Sequence, residues 1–243
     1  SLALALTLTS TTTFAARPLS TDDAGTVEKG KFQLEAGFEA LRQDNHDREL
    51  SPSMTLTYGL LESTDLGIGG GYLFVHPREG KKKNGFADTE LKVKYRWLNE
   101  KGWRPALATT GTLKIPTASD SKGLGSGQAD FGINLIAAKN IGKRWALHLN
   151  LGYTFIGEDR VDNELSYSVA GQYIISDKWV LVGEIGGVNN LNGRKGDDPL
   201  SGLIGTYYLI TENIVWDVGV EIGMSKAAPD FRFITGLTLF FKP

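Results

Sequence analysis

From Phe86 to Leu98 the chain reads FADTELKVKYRWL, and its residues divide by parity. Ala87, Thr89, Leu91, Val93, Tyr95 and Trp97 form one set; Asp88, Glu90, Lys92, Lys94 and Arg96 form the other. Successive side chains of a strand point to opposite faces, so the segment predicts a strand with one apolar and one charged face. A helix would spread the same charges round its whole surface. About ten residues also suit a tilted strand that crosses a bilayer. Asn99-Glu100-Lys101-Gly102 follows as a tight turn.

The alternation recurs along the chain. Strands are predicted at 31–41, 53–60, 64–75, 86–98, 105–115, 127–138, 144–156, 164–175, 179–188, 200–210, 214–224 and 230–241. That makes about twelve, an even number, as in single-chain transmembrane barrels of the outer membrane. Short turns at 61–63, 99–102, 141–143, 176–178 and 211–213 alternate with longer polar loops. Such a rhythm fits an all-β, up-and-down antiparallel barrel with both termini on the short-turn side. Trp97, Trp103, Trp145, Trp179 and Trp216, all the tryptophans of the chain, fall near short turns. An aromatic girdle at one membrane interface accounts for that, whereas strand propensity alone does not select one end. Propeller blades and paired sandwich domains share the hairpin spacing. A blade has shorter strands, and no linker divides this chain in two.

Composition narrows the partners. The 243 residues include no cysteine and carry a net charge of −2, which excludes disulfide scaffolds, thiolate metal sites and a nucleic-acid footprint. No apolar run reaches the ~18 residues of a membrane helix, a test that barrels escape. Leu2 to Leu8, followed by Thr13-Phe14-Ala15-Ala16, reads as the residue of a signal peptide over 1–15. Residues 16–30 are polar and form either a periplasmic tether or a segment folded into the barrel lumen, and the barrel itself spans 31–241.

Charges facing lipid cost ~2–4 kcal/mol each near the midplane, so the charged parity faces inward. The predicted pore lining comprises Glu35, Glu39, Asp88, Glu90, Lys92, Lys94, Arg96, Lys114, Asp130, Arg144, His148, Glu184, Glu221 and Arg232. Strand direction puts Lys92, Lys94 and Arg96 on the periplasmic side, with Arg144 beside them. Lys114 and Asp130 pair near the outer mouth, and Arg232 lies between Glu221 and Glu39. Two readings of this lining stay open: a charged constriction that orients passing solutes, or a ladder of ion pairs that shuts a narrow barrel. The loop Pro116–Ser126 is the candidate for narrowing the entrance.

Other features carry less chemistry. His46, His76 and His148 lack metal spacing, and no serine is placed beside His148 as a hydrolase nucleophile. Gly67-Ile68-Gly69-Gly70-Gly71 lacks the helix that a dinucleotide site requires. Asp22-Asp23 and Asp197-Asp198 read as solvated turns ahead of calcium ligands. Lys81-Lys82-Lys83 is a solvated loop or a contact for lipopolysaccharide phosphates or an anionic solute. No catalytic residue, metal or cofactor is expected.

Arg17-Pro18-Leu19-Ser20-Thr21-Asp22-Asp23-Ala24, followed by KFQLEAGFE, resembles the opening of the phenol-degradation MetA-pathway-like outer-membrane barrels, a group often called simply transporters. Gly123 to Asp130 is similar to a second recurrent feature of that group. The resemblance covers Arg17 to Phe241 and implies an outer-membrane barrel that takes up aromatic or other small organic compounds. It transfers no catalytic residues. The last strand, with Phe231, Phe233, Leu237, Leu239 and Phe241, resembles the signal read by the barrel-assembly machinery, although Lys242 and Pro243 follow it. The sequence thus points to an outer-membrane channel for small solutes, with a structural or partner-binding barrel of closed lumen as the alternative. Its expected surroundings are the lipid bilayer and lipopolysaccharide.

Overall fold

The structure, a computed structural model, describes residues 17–43 and 47–242. The leader reading and His46 lie outside those residues. The strands are β1 (Phe32–Arg42), β2 (Arg48–Leu61), β3 (Thr64–His76), β4 (Lys83–Phe86), β5 (Thr89–Leu98), β6 (Ala106–Ile115) and β7 (Asp130–Ile141). They continue with β8 (Trp145–Phe155), β9 (Glu164–Ile174), β10 (Trp179–Asn190), β11 (Leu200–Thr211), β12 (Ile214–Gly223) and β13 (Phe231–Phe241). Neighbours are antiparallel throughout, β13 pairs with β1, and β2 pairs with β3, so the sheet closes on itself. Because β4 and β5 both pair with β3, they occupy a single place in the wall, which therefore has twelve positions.

Apolar parity faces outward, as the alternation predicts. Leu91, Val93 and Tyr95 are 38%, 49% and 42% exposed on the isolated chain, although each sits mid-strand. In water such a belt would drive aggregation; in a bilayer it is the face that lipid covers. The tryptophans gather at the short-turn end, where Trp145 stacks near Tyr173 and Trp179 near Tyr208, each with ring centroids 4.6 Å apart. A second aromatic belt of Tyr72, Phe74, Phe86, Phe131, Tyr153 and Phe155 marks the long-loop end.

Several boundaries differ from the sequence reading. β2 begins at Arg48 rather than 53 and runs through Pro52. The missing proline N–H is tolerated because β2–β3 pairing lapses between Leu50 and Ser53. The strand expected over 86–98 is broken at Ala87-Asp88, and part of the expected basic loop is β4, hairpinned onto β3. β7 starts at Asp130, three residues later than its polar lead-in suggests. Register shifts at Gly59/Leu61, Arg96/Leu98 and Leu209/Thr211 all lie at the short-turn end, where bulges sharpen the reversal. In the turn after β5, Glu100 takes hydrogen bonds from Lys139 and Asn140; burial pushes its carboxyl up, but these bonds outweigh it and hold the group below its usual range.

Leu149 sits near the centre of β8 on the outward face, 47% exposed. Leu149→Arg is expected to cost about 2–4 kcal/mol of folding free energy in lipid vesicles. Urea titration of the vesicle-embedded protein measures this, and an unchanged midpoint would contradict the lipid-facing assignment.

Candidate functional site: the barrel interior

Residues 17–30 run inside the wall before β1 begins, and they touch much of its circumference. Arg17 pairs with Glu39 of β1 at 3.4 Å. Leu19 is buried against Val180, Val182, Leu203, Tyr207, Val215 and Ile234, inward residues of β10 to β13. The Thr21 N–H donates to Glu184 at 2.7 Å, and the Asp22 N–H donates to Asn150 at 2.9 Å. Ala24 packs on Ala108 and Ile136. The Thr26 hydroxyl donates to the Glu62 carbonyl at 2.9 Å, and the Val27 N–H donates to both Asp65 oxygens at 3.0 Å. A polar peptide is thus satisfied inside the lumen by side chains of the wall.

Glycines on the inward parity make space for it. Gly37 and Gly236 are cross-strand partners, and a Cβ on Gly37 would overlap the Arg17 guanidinium. Gly205 and Gly219 are partners in the same way, and a Cβ on either would come within 2.8 and 2.9 Å of Pro18. A Cβ on Gly59 would collide with the Val27 and Glu28 carbonyls. The wall has sockets where the segment sits.

The interior is therefore two-sided. Beside β10 to β13 the Leu19 cluster is dry. Two polar cavities of about 310 and 370 Å³ share Lys92, Thr112 and Asn134 as lining, and Leu19 borders the second. The first is bounded by Glu90, Lys114, Asp130, Thr154 and Ser166; the second lies between Asp22-Asp23 and the β1–β3 wall at Glu35, Thr57 and Asp65.

The predicted lining residues fall into distinct settings. Lys114 is 2.5 Å from Asp130 and 3.8 Å from Asp88, the pairing that strand direction indicates. Arg232 lies between Glu221, with which it pairs closely, and Glu39 at 3.5 Å, again as strand direction indicates. The basic triad does not act as one group. Lys94 is bound by Asp22 at 2.7 Å and by the carbonyls of Asp23 and Gly25 at 3.1 and 3.3 Å. Arg96 donates to the Glu62 carbonyl at 2.7 Å, whereas Lys92 meets Glu90 at 3.0 Å and stays 41% exposed. Arg144 precedes β8 and is exposed in its turn, donating to the Tyr173 hydroxyl at 3.4 Å rather than sharing partners with the triad. His148 is buried on β8, and neither ring nitrogen has a hydrogen-bond partner. Among the described residues no group of three His, Asp or Glu side chains is placed to hold a metal.

At the mouth, residues 116–129 fold onto the wall. The Ala118 N–H donates to Asp88 at 2.9 Å, the Lys114 ammonium donates to the Ser126 hydroxyl at 3.2 Å, and Leu124 is buried beside Gly85. The seating of residues 17–30 left only weak traces in the sequence: inward glycines, and Leu19, Ala24 and Val27 within a polar stretch.

Comparison with known proteins follows the same outline. No curated protein matches the chain. The barrel is similar to the COG4313 outer membrane channel from Pseudomonas putida F1, with TM-score 0.70 and 15% identity over 90% of this chain and 98% of that one. It is similar to the NanC porin, with TM-score 0.60 and 10% identity over 86% and 98% of the two chains. A KdgM porin in complex with disordered oligogalacturonate aligns at TM-score 0.57 and 12% identity over 85% and 99%. At these identities the likeness speaks for the fold. A family profile described as "MetA-pathway of phenol degradation" matches residues 15–241. With that match over nearly its whole length, the chain belongs to the MetA-pathway family of phenol degradation, and its closed, lipid-belted wall is that of a bacterial outer-membrane barrel.

Proposed function

We propose that the barrel is a passive channel through which small hydrated solutes cross the outer membrane along the wet side of its lumen. One observation carries this reading: the two polar cavities share Lys92, Thr112 and Asn134 as lining, and the second runs along the internal segment at Asp22, Asp23 and Gly25. With the short turns periplasmic, the first cavity lies toward the outside. The family description points to aromatic compounds. Against this lining of hydroxyl, amide and paired charge, an aromatic solute travels by presenting a hydroxyl or carboxylate. The wall then serves as scaffold and does no bond chemistry. Correct insertion depends on the assembly machinery reading β13.

A second reading, a closed structural barrel, is favoured by the internal segment, which fills much of the interior. Planar-bilayer recording separates the two. The channel reading expects small, steady, voltage-independent steps from the full chain; silence at high voltage supports the closed barrel.

Two substitutions give finer expectations. Lys92→Gln removes the triad cation that lines both cavities and should shift ion selectivity toward cations, whereas Arg96→Gln, at a residue that lines neither, should not; equal shifts would remove Lys92 from the path. Lys94→Met strips Asp22 of its ion-pair partner in a part-buried setting, a loss of about 1.5–3 kcal/mol for a hydrogen bond to a charged group. The expected result is a released segment: cleavage after Leu19, which is buried while the segment is seated, by added chymotrypsin and a several-fold larger conductance, with the barrel still folded. Protease resistance and unchanged conductance would show that Lys94 does not hold the segment.

A further inference from the structure

Outward aromatics at the long-loop end form two groups. On β7 and β8, Phe131 stacks on Phe155 at 6.2 Å and Tyr153 meets Phe155 edge-on at 4.8 Å. On the β3–β4 hairpin, Tyr72 lies 4.9 Å from Phe74 and 5.3 Å from Phe86. Phe86 is 73% exposed on the isolated chain, more than any other strand aromatic.

What stands above the two groups differs in sign. The connection that follows Phe155 carries Glu158, Asp159 and Asp162 against Arg160. The hairpin tip carries Arg78, Lys81 and Lys82, all exposed, against Glu79. The tip is also held in place, since the Arg78 N–H donates to Asp47 at 2.7 Å across the neighbouring loop. Because β4 pairs with β3 alone and the strand is interrupted at Ala87-Asp88, where the Ala87 N–H still donates to the Gly71 carbonyl at 3.0 Å, the hairpin stands beyond the rim of β5. Lys83 points the other way, with its ammonium close to Gly123 of the mouth loop.

Aromatic rings at the hydrocarbon boundary with cations directly above match an amphiphile that has acyl chains below and phosphates above. In the outer leaflet that amphiphile is the phosphorylated glycolipid moiety of lipopolysaccharide. We propose that the β3–β4 hairpin is its docking face, with Phe74 and Phe86 against the acyl chains and Arg78, Lys81 and Lys82 on the phosphates. The acidic crown above Phe131 and Phe155 makes that side of the barrel a poor site for the same lipid. The assignment rests on the barrel's place in the outer membrane and not on whether its lumen conducts.

The test uses the full chain folded in detergent and titrated with purified lipid A, bound lipid being counted by native mass spectrometry. Lys81→Gln with Lys82→Gln should weaken binding about thirtyfold, each surface cation contributing about fivefold. Phe86→Ser should weaken it further, while Glu158→Gln with Asp159→Gln should leave it unchanged. Dephosphorylated lipid A should bind the native chain no better than phosphorylated lipid A binds the lysine variant. Native affinity in the lysine variant, or equal affinity for dephosphorylated lipid, overturns the proposal. So does displacement of lipid A by inorganic phosphate at equal concentration, which would make the tip a simple anion site. Bilayer conductance of the lysine variant, expected at the native level, keeps this outcome separate from the channel reading.

Discussion

A strand immersed in hydrocarbon must find a protein partner for its amides on both edges, because no water completes the set. Here that demand is met by a ring in which β13 returns to β1 and β2 to β3. Closure has a second consequence. Once lipid claims one face of every strand, polar side chains have nowhere to go but the interior, where they too must be satisfied. The inner surface follows from the outer one. Arg232 between Glu221 and Glu39, and Lys114 beside Asp130, are cross-strand solutions to that problem.

Cross-strand pairs do not finish the task. Lys94, Glu184, Asn150 and Asp65 face inward at different heights and on different strands, and residues 21–27 complete all four. The segment needs the wall for the converse reason: an extended peptide has no ladder of its own, and its amides are costly if left dry. Each side therefore stabilises the other. The glycines at 37, 59, 205, 219 and 236 fit this arrangement better than a role in bending the wall, since a side chain at any of them would meet the segment. Leu19 supplies the apolar part, and it explains why Val180, Val182 and Tyr207 break the polar-inward rule.

Parity is readable in the sequence because lipid and lumen differ so sharply. The wall, the girdle and the direction of each strand all follow from it. Less legible was anything decided by a distant partner. On β10, apolar residues occupy both faces, and only the docking of Leu19, some 160 residues earlier in the chain, separates core from lipid contact. The break at Ala87-Asp88 depends on β4 finding β3, which the local alternation does not signal. Arg144 lies one residue before its strand, and that one residue moves it from the predicted lining to the outside of a turn. Of the interior, charge was legible and occupancy was not: the same Lys92-Lys94-Arg96 pattern contains one cation shared by both cavities, one bound to the segment and one at a turn.

That division among three like residues shows how the interior combines rigidity with open polar space. An ammonium held by Asp22 and two carbonyls is spent on structure and has little freedom to meet a solute. Lys92 differs only in height on β5. In register beside it stand Thr112 on β6, Gly132 on β7 and Thr154 on β8, positions too short to reach across the lumen. Short residues open a gap along β6 to β8, and the segment fills the space beside β10 to β13. The open space is therefore eccentric by construction, and its polarity is set by whichever charges the internal segment leaves uncommitted.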